Sequence, residues 1–142
     1  MAFATYSLAD VITTINHPDV GKCVLSDEGG GRITLSYSGD LSSATTTATG
    51  YVVVNKLVAK NGSCGLEVPK NSGADIFLRK WIKYLKSAPT KRFALASLVL
   101  NDTAGGNVIT LIGVTPQKEP DDTYDAQASN VQYNLLYAER KD

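Results

Sequence analysis

Between two strand-like runs, residues 32–37 and 51–54, the chain carries a connection over residues 38–50 that is far longer than a hairpin turn requires. No charged residue occurs from Leu41 to Asn55, and Thr45, Thr46, Thr47 and Thr49 crowd its middle. Two residues suffice to join antiparallel strands, and long connections in a compact domain are either functional or mobile. Disordered segments are usually marked by Pro, Glu, Lys or net charge, and this one has none of them. Low charge, β-branched residues and no proline describe a backbone suited to pairing with another chain, which soluble proteins ordinarily block with edge charges. The segment therefore reads as an assembly arm, against the plainer alternative of a mobile surface loop.

The remainder is mostly short strands divided by Gly, Asn and Asp. Candidate strands are residues 11–15, 22–25, 32–37, 51–54, 63–68, 93–100, 107–114 and 130–138. In the third, Ile33, Leu35 and Tyr37 alternate with Arg32, Thr34 and Ser36, and in the last Val131, Tyr133, Leu135 and Tyr137 share a face. Period-two alternation of this kind marks a half-buried strand. After the arm, residues 51–54 and 63–68 are expected to continue the sheet, with Asn61-Gly62 as the turn between them. One helix is predicted: Ser72 caps it, Asp75 stands at the capping-box position, and Ala74, Phe77, Leu78, Trp81, Ile82 and Leu85 recur at helical spacing before Pro89 ends it. The expected fold is mainly β (α+β), a barrel or sandwich of about seven or eight strands with one flanking α-helix. A length of 142 residues suits one domain, taken here as residues 1–142.

Charge excludes several classes of function. Fourteen basic residues balance 14 acidic ones, so total charge recruits neither nucleic acid nor an anionic membrane. The first residues lack the basic start and apolar core of a signal peptide, and no apolar run approaches the ~18 residues of a membrane span. A cytoplasmic site of synthesis is expected, where Cys23 and Cys64 remain thiols. A single histidine and two distant cysteines offer no metal ligand set. Glu119, Asp121, Asp122 and Asp125 lie between prolines in a spacing that fits no EF-hand, and read as a solvated loop. Gly29-Gly30-Gly31-Arg32 lacks the Lys and Ser/Thr of a phosphate loop and reads as a turn. His17 has Asp19 nearby but no nucleophile in a strand-to-helix elbow, so His17 and Pro18 are expected to fix a turn. No catalytic residue, cofactor or metal is predicted.

Half of the basic residues, Lys70, Arg79, Lys80, Lys83, Lys86, Lys91 and Arg92, fall between residues 70 and 92, where Asp75 is the one acid. On a helical wheel Arg79, Lys80, Lys83 and Lys86 oppose the Trp81 and Leu85 stripe. Ile76 sits among these charges rather than with the core residues. An exposed isoleucine ringed by positive charge is a docking point for an acidic protein partner, whereas a solvated face is the plainer reading.

Six strings, YSLADV (6–11), HPDVG (17–21), GGRITLS (30–36), NG (61–62), FLRKW (77–81) and NVQYNLLYA (130–138), together resemble, in order and spacing, tail tube proteins of contractile-tailed bacteriophages. The resemblance implies a β-barrel-like subunit with one outer helix, six of which form a ring. Rings stack into a hollow tube that conducts DNA without specific binding. It also implies a surrounding sheath protein, baseplate and tail terminator proteins at the tube ends, a place in the virion tail, and assembly in the host bacterial cytoplasm. By chain order the arm then reaches the adjacent ring through Leu41, Ala44, Thr46 and Ala48, while Ile76, Arg79, Lys80 and Lys83 meet the sheath or a neighbour. The alternatives are a tube subunit of a contractile injection or secretion apparatus, and a monomeric β-sandwich that binds a ligand on an exposed Tyr133 and Tyr137 face.

Overall fold

The computed structural model describes residues 2–25 and 32–142, so the glycine run 29–31 lies outside the described residues. Among the described residues, a 3-10 turn at Leu8–Asp10 is followed by ten strands and two α-helices in the order β1 (Val11–His17), β2 (Gly21–Val24), β3 (Arg32–Tyr37), β4 (Ser42–Thr46), β5 (Val52–Lys56), β6 (Gly62–Pro69), α1 (Gly73–Ser87), α2 (Thr90–Phe93), β7 (Ala96–Asp102), β8 (Asn107–Lys118), β9 (Asn130–Tyr137) and β10 (Glu139–Lys141). Eight strands form one antiparallel sheet in the path β2-β1-β7-β8-β9-β6-β3, with β10 also paired to β8. The long β8 joins its halves: its first part pairs with β7 and its last part with β9. The bend falls at Gly113, which has φ 71 and whose added Cβ would lie 2.8 Å from the Cβ of Ala138. Glycine alone meets both demands, a left-handed backbone and the close approach.

Alternation explains why the halves close on one core. Val131, Tyr133, Leu135 and Tyr137 are buried while Asn130, Gln132 and Asn134 are exposed, and Val11, Thr13, Ile15 and His17 face inward on β1. Helix α1 turns Ala74, Leu78, Trp81, Ile82 and Leu85 into the same cluster, which also holds Leu66, Leu98 and Leu111. The edge strands β2 and β3 do not pair with each other. This mainly β fold, one eight-stranded antiparallel sheet with one long helix, is of the expected class.

Several boundaries differ from expectation. Of the run 51–54, Val52, Val53 and Val54 lie in β5, which among the described residues pairs only with β4 and does not continue the main sheet. Its valines suit a core strand and an assembly hairpin equally, and composition does not separate the two. Residues 90–93 form the helical turn α2, so the strand expected from residue 93 starts at Ala96 and runs to Asp102. Strand β8 continues through Pro116 to Lys118, because the register shifts between Pro116 and Lys118 and the irregularity accommodates the missing N–H. Tyr133 and Tyr137 are 1% and 2% exposed, so the aromatic ligand face proposed for a monomeric module is core instead.

His17 fixes its turn as expected and also ties three elements together. Its Nδ1 accepts the N–H of Asp19 at 3.1 Å and its Nε2 donates to the Arg92 carbonyl at 3.0 Å, which sets the tautomer. Asp19 in turn accepts from the Tyr84 hydroxyl at 2.7 Å and from Arg92 at 2.8 Å. The Tyr84 hydrogen bond, aided by Arg92, holds the Asp19 carboxyl below its usual range despite partial burial. No disulfide joins Cys23 on β2 to Cys64 on β6, and burial pushes the Cys64 thiol up to about 12.

Gly62 is the point where the arm leaves the sheet. A Cβ there would overlap the carbonyl oxygen of Ser36 and sit 2.5 Å from the Tyr137 hydroxyl, which itself donates to Ser36 at 2.9 Å. Replacement by alanine forces the β3-β6 pair apart. Gly62→Ala is expected to lower unfolding free energy by about 2 kcal/mol, read by urea denaturation.

Candidate assembly interface

The uncharged arm is an ordered hairpin, longer than the segment read from sequence. Strand β3 pairs with β6 up to Tyr37 and Gly62, so residues 38–61 form an insertion between two neighbouring strands of the main sheet. Its base is fastened by the N–H and the hydroxyl of Ser38, both donating to the Asn61 carbonyl at 3.1 Å. Beyond that, β4 and β5 pair from Ser42↔Lys56 to Thr46↔Val52. The turn is closed by Thr47, whose N–H donates to the Tyr51 carbonyl at 2.8 Å and whose hydroxyl accepts the Tyr51 N–H at 3.1 Å. Gly50 supplies the positive φ of 85 that this turn needs.

Every residue of β4 and β5 is exposed, so neither hairpin face is covered within the subunit. The faces differ chemically. One carries Ala44, Thr46, Val52 and Val54, with Val54 71% exposed. The other carries Ser43, Thr45, Val53 and Asn55, where the Asn55 amide donates to the hydroxyls of Ser43 at 3.3 Å and Thr45 at 3.4 Å. Leu41, 80% exposed, and Tyr51, 70% exposed, flank the two strands. An isolated two-stranded hairpin is marginal in water, and a bare row of valines on one adds an unmet demand for burial.

A second exposed surface lies on α1. Ser72 caps the helix by accepting the Asp75 N–H at 3.2 Å, and its hydroxyl donates to the Pro69 carbonyl at 2.7 Å. The expected capping box is altered: Asp75 reaches past Ser72 to accept the N–H of Asn71 at 3.0 Å, with Asn71 at φ 61. Asp75 is fully buried, accepting also from the Tyr133 hydroxyl at 2.6 Å and from Arg79 at 3.2 Å. Burial alone would raise its carboxyl; the bonds from Tyr133, Asn71 and Arg79 outweigh it and hold the carboxyl below the ordinary range. Of the residues expected to meet a partner, Ile76 is 60% exposed and Lys80 and Lys83 are exposed. Arg79 is half-buried and engaged within the chain by Asp75 and, at 3.3 Å, by Asp122. The acidic loop that reads as solvated is thus partly spent on this helix, since Glu119 also pairs with Lys86.

Strands β4 and β5 thus stand uncovered within the subunit, while the main sheet and α1 share one core. Across residues 3–141 the sequence matches the family model described as "Bacteriophage PhiTE tail tube protein". The chain belongs to this phage tail tube family. The tail tube protein is accordingly a structural protein, a tube subunit and a component of the virion tail. No curated protein sequence matches it. Among solved structures its fold is similar to a chain of the sheath-tube complex of an extracellular contractile injection system, PVC, in the extended state, at 10% identity and TM-score 0.61, covering 99% of this chain and 92% of that one. A chain from the sheath/tube terminator of the same system aligns at 10% identity and TM-score 0.60, covering 99% and 98%. A chain from the baseplate of the anti-feeding prophage, AFP, aligns at 12% identity and TM-score 0.59, covering 99% and 96%. Among the described residues, no helix of the tail tube protein is long and apolar enough to cross a membrane.

Proposed function

We propose that the tail tube protein polymerises with itself into rings of six, that the rings stack into the DNA conduit inside a contractile sheath, and that it performs no enzymatic step. The observation that carries this reading is the ordered hairpin with no cover inside its own subunit. Each ring closes when the open edge of β2 or β3 pairs with a neighbouring copy, which removes edges that would otherwise aggregate. Hairpins then extend from the β3-β6 pair to the next ring, with Leu41, Ala44, Thr46 and Ala48 in contact. The tube's ends meet baseplate and terminator proteins, and assembly takes place in the host bacterial cytoplasm.

The outward face of β3, β6 and β9 suits the channel wall. It presents Thr34, Ser36, Ser63, Gln132 and Asn134, all uncharged, while Arg32 stands directly opposite Glu67. DNA affinity grows with each phosphate a protein neutralises, so a neutral hydroxyl and amide wall lets DNA pass without holding it. Helix α1 faces the sheath through Ile76, Lys80 and Lys83, with Arg79 supporting from beneath. A tube subunit of a contractile injection apparatus is the second reading, supported by the fold likeness; the family match favours the phage tail.

Negative-stain microscopy of the concentrated protein, with a baseplate nucleus, tests the proposal. Rings or tubes are expected, and persistent single subunits overturn it. Lys80→Glu with Lys83→Glu is expected to leave naked tubes intact while lowering sheath retention at least about tenfold in co-sedimentation. Unchanged retention removes α1 from the sheath interface.

A further inference from the structure

The acidic loop and the basic helix face are in direct contact. Residues 119–129 have no regular structure, residues 121–129 are all exposed, and among the described residues no backbone-to-backbone hydrogen bond holds them. Side chains alone fasten the loop to the helix side of the subunit. Glu119 pairs with Lys86, Asp122 with Arg79, and Lys70 donates to the Thr123 carbonyl while lying 3.6 Å over the Tyr124 ring. Between loop and helix runs a cleft of about 310 Å³, walled by Ile82, Lys83 and Lys86 on one side and Glu119, Pro120 and Asp122 on the other.

We infer that residues 119–125 are a displaceable electrostatic strap, which occupies part of the cationic face of α1 until a carboxylate-bearing segment of a partner protein takes its place. This rests on the reading that α1 meets a partner, and it adds the partner's chemistry and the element it must displace. The loop itself shows what binds there: two carboxylates spaced three residues apart along the chain meet cations at positions 79 and 86 of the helix. Solvent-exposed ion pairs are individually weak, so the strap opens readily, and a competing segment pays only that opening in affinity. Lys80 and Lys83, which have no ion pair among the described residues, offer the first foothold.

The test uses the full subunit, an octaglutamate peptide as the probe, and the variant Glu119→Gln with Asp122→Asn. At low salt the peptide is expected to shift the amide signals of Lys80, Lys83 and Lys86 and to move those of Glu119, Asp122 and Thr123 towards the positions they take in the variant. The variant should bind it about fivefold more tightly, because no strap competes. Equal affinity of the two proteins, or binding that leaves the loop's amide signals in place, overturns the inference. Tube formation by the same proteins is scored separately. Tubes with equal peptide affinity reject the strap alone, whereas single subunits with a fivefold difference reject the tube and keep the strap.

Discussion

Val52→Asp combined with Val54→Asp leaves the tail tube subunit folded and stops tube formation. The first half follows from exposure: both side chains already face solvent in the single subunit, so substitution there changes unfolding free energy by no more than about 0.5 kcal/mol. The second half follows from the inter-ring contact proposed for the hairpin. Once a neighbouring copy covers this face, each valine contributes roughly 1.5–2 kcal/mol of burial, and an aspartate in its place brings an unpaired carboxylate out of water. A polymer repeats that penalty at every subunit, so the concentration needed for assembly rises at least about a hundredfold. Sedimentation and negative-stain imaging report the assembly, and a urea titration reports the fold.

The opposite hairpin face supplies the contrast. Ser43, Thr45 and Asn55 already satisfy one another through the Asn55 amide. Thr45→Asp is expected to raise the assembly concentration by less than about tenfold, since a polar face can keep its water. Tubes formed by the double valine variant at the wild-type concentration would exclude this face from the inter-ring contact and return the arm to an ordinary surface hairpin.

Much of this was legible where local pattern and tertiary demand agree. Alternation on β3 and β9 placed Ile33, Leu35, Val131, Tyr133 and Leu135 inward, though Tyr37 at the end of β3 is exposed, and the cap at Ser72 began α1 where the structure begins it. Legibility failed where one vocabulary serves two purposes. The valines of β5 suit a sheet interior, and only the direct pairing of β3 with β6 shows that they stand outside it. Pro116 reads as a stop, yet the irregular register beside it lets β8 continue. The candidate site was half visible. Ile76, Lys80 and Lys83 are exposed as helical periodicity requires, but Glu119 reaches Lys86, and Asp122 joins Asp75 on Arg79, from more than thirty residues away, and no local pattern encodes such a contact. Asp75 was hidden by a sufficient local explanation, because a helix-start acid needs no burial to be understood.

That buried acid carries the largest effect expected on folding. Asp75→Asn should lower unfolding free energy by about 3 kcal/mol, a loss comparable to breaking a buried pair, and the melting temperature by roughly 10 °C. The amide cannot replace a carboxylate that accepts from Tyr133, Asn71 and Arg79 together. Tyr133→Phe removes one of those donors and should lower it by about 2 kcal/mol. Because the two side chains share one bond, the double variant should lose less than the sum, and a double-mutant cycle measures the difference. The pH dependence has a definite sign. The native carboxyl titrates below the unfolded value of about 3.9, so the unfolded chain binds more protons across that interval and stability rises with pH. The contribution is complete above about pH 5 and lost as pH falls through the native value. Tyr133 acts at the other end: burial, with the Asp75 bond, raises its hydroxyl, so its contribution is present below about pH 10 and lost as pH climbs beyond it. Wild-type stability should therefore fall at both extremes, while Asp75→Asn flattens the acid limb. An acid limb as steep in the variant as in the wild type would assign the acid loss to other carboxylates, Asp19 first among them.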